Sequence, residues 1–69
     1  MKIAYITFVH PEDVAREVER QVALGCRSFA LRPVAGGGML DQERLGAARY
    51  AAGLHAEVHL EADVPAAAR

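Results

Sequence analysis

Between Lys2 and Val9 the chain reads KIAYITFV, a stretch of strand length in which both alternating sets are apolar. Ile3, Tyr5 and Val9 fall on one side, and Ala4, Ile6 and Phe8 on the other. That pattern belongs to a strand covered on both faces, as in a parallel sheet, and it predicts a first strand here. His10-Pro11-Glu12-Asp13 then opens a helix, because proline is preorganised for the first helical position and two acids suit the positive end of the helix dipole. Val14, Val18 and Val22, with Ala15 and Ala23, recur at helical spacing. Glu12, Arg16, Glu17, Glu19, Arg20 and Gln21 cover the remaining surface. Gly25 supplies a left-handed stop, so the helix is predicted over 11–24.

Cys26 to Arg32 predicts a second strand with Phe29 and Leu31 as its apolar pair, ended by Pro33, which cannot donate to a ladder. The segment 33–40 is a loop dominated by Gly36, Gly37 and Gly38. Asp41 stands as the N-cap of a second helix running to about residue 52, with Gly53 at its carboxyl end. Gly46, Ala47, Ala48, Ala51 and Ala52 give that helix little apolar volume, so it must approach its neighbour closely. The segment 54–64 alternates most cleanly: Leu54, Ala56, Val58, Leu60 and Ala62 face one way, and His55, Glu57, His59, Glu61 and Asp63 the other. After Pro65 the AAAR tail carries no pattern, which divides the chain into one α/β domain over 1–64 and a flexible tail over 65–69.

Strand, helix, strand, helix, strand in that order implies a small βαβαβ domain with a three-stranded parallel sheet and right-handed crossovers. A strand apolar on both faces belongs in the middle and one with a wet face at an edge. This favours strand order 2-1-3, with a helix on each side of the sheet. The alternative, 1-2-3, puts both helices on one face and leaves the other bare, so it would need a partner or a longer chain.

Composition narrows the functional classes. The 69 residues are 52% apolar and 25% charged, with a net charge of −1. The apolar share supports a folded core, and near-neutral charge gives no electrostatic case for nucleic acid or an anionic membrane surface. A single cysteine cannot build a disulfide framework or a cysteine zinc cluster. The apolar run after Lys2 is too short for a signal peptide or a membrane span, so the expected location is the cytoplasm. At this length a chain buries only about 60% of its unfolded surface, which favours self-association.

From Lys2 to Pro65 the cadence resembles the opening three strands of the sugar-phosphate isomerase/epimerase (xylose-isomerase-like) TIM barrels. The resemblance is carried by VALGCRSFALRP, a glycine-bearing loop, a helix, and AGLHAEVHLEADVP. That family commonly shows a helix ending in Leu-Gly, a short strand ending in Leu-Arg-Pro, and a third strand after Ala-Gly-Leu. The stretch corresponds to the first third of a barrel. Ala30 stands where the family's second strand often carries a glutamate, and most of the family's metal ligands lie beyond this stretch. The resemblance implies a barrel-type enzyme, or part of one, acting on a small anionic substrate.

Candidate chemistry gathers at the carboxyl ends of the strands, where parallel α/β sheets place their ligands. His10 with Glu12, Arg32 with the glycine loop, and Glu61 with Asp63 fall there. His10, Arg32, Glu61 and Asp63 together offer a general base, an anion-binding cation and two carboxylates. Against that stands the plain reading of polar strand ends, with His10 merely leading into the helix. The backbone amides of Gly36, Gly37 and Gly38 could cradle a phosphate, although Asp41 opposes an anion there and no P-loop lysine follows.

Glu57 and His59 form a candidate divalent-metal pair; His55 and His59, about 13 Å apart on one strand face, cannot share an ion unaided. The same strip suggests a homodimer in which the third strand pairs antiparallel with its copy about Val58. Glu57 then meets the partner's His59, and His55 meets the partner's Glu61. Cys26 reads as a small buried hydrophobe, and Tyr5 and Tyr50 as core residues with a hydroxyl at the rim. The expectation is a small soluble homo-oligomeric binding or interaction protein of unknown ligand, a small molecule being one option, with no required cofactor beyond the candidate divalent metal. The alternative is the barrel-type enzyme.

Overall fold

A computed structural model describes residues 3–34 and 36–61. Five elements follow one another: β1 (Ala4–Ile6), α1 (Pro11–Ala23), β2 (Ser28–Leu31), α2 (Gly38–Ala52) and β3 (Glu57–Leu60). The strands form one parallel sheet of order β1-β2-β3. Ala4, Tyr5 and Ile6 pair with Phe29, Ala30 and Leu31, while Ser28 through Leu31 pair with Glu57 through Leu60. The proposed tail and Asp63 lie outside the described residues.

The favoured order 2-1-3 is therefore corrected to 1-2-3. The reason is visible in the strands themselves. Only Ala4–Ile6 of the first apolar run pairs as strand, and Ile3, Tyr5, Phe8 and Val9 are each at least 38% exposed. In β2, by contrast, Phe29, Ala30 and Leu31 are all buried, so consecutive residues on opposite faces are covered. Ala30 signals this weakly in sequence because its side chain is one methyl. A central strand can use a small residue on a face where its neighbours, here Tyr5 and His59, are larger.

One face of the sheet holds the core. Ile6, Phe29, Leu31 and Val58 meet Val14 and Val18 of α1 and Ala48 of α2, with Leu45, Ala51 and Ala52 packed against them. Both helices thus lie on the same side, as right-handed crossovers in a steadily advancing sheet require. Their mutual packing is extensive, and the small residues of α2 permit the close approach anticipated from its composition. The molecule is only 16 Å across its thinnest dimension, which suits one sheet and one helical layer rather than a sheet between two layers.

Local signals set the helix limits. Pro11 starts α1 with Glu12 and Asp13 in the first turn. At its end Gly25 adopts φ 91°, its N–H donates to Val22 O, and the N–H of Cys26 donates to Gln21 O. These two bonds form a Schellman closure. The second helix begins four residues earlier than expected. Gly37 is the N-cap, and Asp41 lies within the first turn, buried. Tyr50 is 93% exposed on the outer side of α2, contrary to its expected place in the core.

Candidate functional site at the uncovered sheet face

Side chains alternate along a strand, so the residues between the core positions point away from the helices. Tyr5, Ala30 and His59 form one rung across that second face, and Ser28 and Glu57 share the next. The ladder continues one residue further, since Arg32 N–H donates to Ile6 O and Glu61 N–H donates to Leu31 O. Arg32 and Glu61 therefore follow the alternation onto the uncovered face, side by side at the carboxyl ends of β2 and β3. Both are exposed. No element among the described residues covers this face.

His10 stands at the N-cap of α1 with its main-chain carbonyl accepting from Val14 N–H and its imidazole free of capping duty. It is exposed, as is Glu12. The glycine loop sits beside the end of β2. Gly36 takes φ 69°, and Gly37 donates its N–H to Val34 O at 2.9 Å. A Cβ on Gly37 would come within 3.1 Å of Val34, so a larger residue there would push Val34 back by a few tenths of an ångström. Thus His10, Arg32, the glycine loop and Glu61 share one rim. Asp63 falls outside the described residues.

Beneath this rim lies Arg44, a residue not among the expected site residues, which bonds the ends of β1 and β2. Arg44 has no exposed surface, and its side chain runs back toward the start of α2. Its Nε donates to Phe8 O at 2.9 Å, and its Nη1 donates to Arg32 O at 2.7 Å and to Asp41 Oδ1 at 2.8 Å. Asp41 in turn accepts from Val34 N–H through both oxygens, at 3.1 and 3.2 Å. One guanidinium joins the ends of β1 and β2, and its carboxylate partner holds the loop that follows. A sequence signal exists: Asp41, Arg44, Leu45, Ala48, Ala51 and Ala52 trace the 3.6-residue stripe that faces the core. Placing Asp41 at the N-cap took it off that stripe.

The strip on β3 is shorter than expected. Leu54 and His55 lie in the turn before the strand, which leaves Glu57 and His59 as the alternating pair on it. His59 Nε2 lies 3.7 Å from Glu57 Oε2, and both side chains are exposed. Among the described residues no third histidine, cysteine or carboxylate joins them to make a metal-holding group. Because His55 lies in a turn, its expected contact with a partner's Glu61 has no strand at His55 to carry it.

At the opposite end of the sheet a small cleft of about 70 Å³ is lined by Val22, Gly25, Cys26, Arg27, Ala52 and Ala56. Cys26 is buried there, with its Sγ 3.3 Å from Ser28 O, in keeping with a packing role. Concavity and candidate chemistry thus lie at opposite ends. The rim is the better lead, because the cleft gathers no titratable group except a buried thiol and the exposed Arg27. No helix among the described residues is long and apolar enough to cross a membrane. Comparisons with protein-family models, with curated proteins and with solved structures find no match to this chain.

Proposed function

We propose that this chain is a β/α winding unit of a small-molecule enzyme resembling the sugar-phosphate isomerase/epimerase barrels. It takes a small anionic substrate at the carboxyl ends of its strands. The observation that carries this reading is the order β1-β2-β3 with both helices on one side. That is the winding of a β/α barrel, in which the face away from the helices becomes the interior and the strand ends become the active site. Arg32 supplies the charge that binds the anion, His10 acts as general base, and Glu61 supplies a carboxylate on the neighbouring strand end. Further strands, beyond β1 and beyond β3, complete the site.

Inorganic phosphate, followed by amide and imidazole NMR shifts of the chain, tests the reading. Shifts concentrated at His10, Arg32, Gly37 and Glu61 are expected. No shift, or shifts around Cys26 and Ala56 instead, would overturn it.

A second reading is a homo-oligomeric binding module, favoured by one observation. β3 is an edge strand, and it presents Glu57 and His59 around the buried Val58. Antiparallel pairing of two such edges sets each Glu57 against the other chain's His59 and satisfies backbone groups that an edge leaves open.

A further inference from the structure

We propose that Arg44 is the positioning residue of the strand-end site, holding His10, Arg32 and the glycine loop in one arrangement without itself touching the ligand. This rests on the reading of the rim as an oxyanion site and adds what keeps that site in shape. The inter-strand ladder between β1 and β2 reaches Arg32 N–H on Ile6 O. Past that point, Arg44 is what bonds the carbonyls of Phe8 and Arg32, and Asp41 bonds the N–H of Val34. These anchors fall two residues before His10, at Arg32 itself, and two residues before Gly36. The segments that carry His10, Arg32 and the glycine loop are each tied at one point to the first two turns of α2, while Glu61 is held by the ladder bond to Leu31 O.

Stability alone is a poor explanation for the arrangement. A buried ion pair loses so much hydration that well-packed apolar residues of similar volume are often as good or better. Arg44 is also incompletely satisfied, because its Nη2 is buried with no hydrogen-bond partner among the described residues. A buried donor left in that state is a cost rather than a gain. What an apolar side chain could not supply is the fixed fork of donors that reaches two strand ends at once. The positional tie is the property that distinguishes arginine here.

The test separates position from stability. In Asp41→Leu/Arg44→Met both charges go together, so neither is stranded in the core. Thermal unfolding of this variant is expected above that of Arg44→Ala, which strands the carboxylate, and somewhat below that of the unaltered chain, because Phe8 O, Arg32 O and Val34 N–H lose their partners. Its affinity for inorganic phosphate, read from the NMR titration, is expected to fall at least about tenfold. Undiminished phosphate binding in the folded double variant would overturn the proposal while leaving the rim reading intact. Absence of phosphate binding in the unaltered chain would overturn both. Should the double variant fail to fold, Arg44→Lys keeps a charge opposite Asp41 but lacks the fork. The same tenfold loss is expected of it, and unchanged affinity would refute the positioning role.

Discussion

Arg44 and Asp41 show how strongly one pair can depend on its surroundings. Arg44 is fully buried and Asp41 nearly so, with 2.8 Å between Nη1 and Oδ1. Removing the arginine alone strands a carboxylate that retains only the N–H of Val34. Arg44→Ala is expected to destabilise the chain by about 3–5 kcal/mol, the range for breaking a buried pair from one side. Urea unfolding measures this, and a loss below about 1 kcal/mol would mean that water enters the site and the pair is not buried in solution. The double variant above should avoid most of that loss, so comparing the two isolates the stranded charge. Residue-scale reading of sequence missed this pair because charged residues are expected outside. Its helical spacing with Leu45 and Ala48 was legible, but its burial depends on carbonyls of β1 and β2 that only the folded chain brings near.

Individual elements were more legible, since their signals are local. Pro11, the first-turn acids and Gly25 delimit α1 within a residue of its observed span, and Val14 and Val18 face the core as their spacing requires. On its outer side Glu17 accepts two bonds from Arg20, at 3.0 and 2.7 Å, and one from Gln21. These bonds, led by Arg20, lower the Glu17 carboxyl below its ordinary value against a smaller opposing effect of burial. A carboxylate depressed in the folded state stabilises above its unfolded pKa and loses that contribution as pH falls through the folded value. Glu17→Gln should therefore cost no more than about 0.5 kcal/mol near neutrality, given the exposure of the pair. The difference should vanish in strong acid. A pH series of thermal unfolding checks this, and a gap between the two proteins that widened on acidification would contradict the assignment. Strand limits were less legible, because apolar runs continue past the paired residues at both ends of β1, and Leu54 and His55 extend the alternation of β3 into a turn.

Across the whole molecule, the parallel βαβαβ architecture followed from element order, whereas the arrangement of its strands did not. Sheet order depends on which strand is covered on both sides, and Tyr5 and Ala30 are misleading in opposite directions. The large one is partly exposed at an edge, and the small one is buried at the centre. Among the described residues the resulting sheet has helices on one face, two free edges, and exposed Ile3, Tyr5, Phe8 and Val9 along or just beyond β1. Edges and apolar surface of this kind invite further strands. The candidate rim was partly legible, because strand ends could be counted along the chain, but the buried tie beneath it was not.

Sedimentation equilibrium of the chain near neutral pH, with circular dichroism on the same sample, tests the need for further strands most directly. The folded material is expected at a mass above the 7.4 kDa of one chain. A defined two-chain mass would favour pairing through β3, and a broader distribution would favour open-ended continuation of the sheet. A compact, fully folded species at the mass of a single chain would rule out that need, because the uncovered face would then be stable in water by itself.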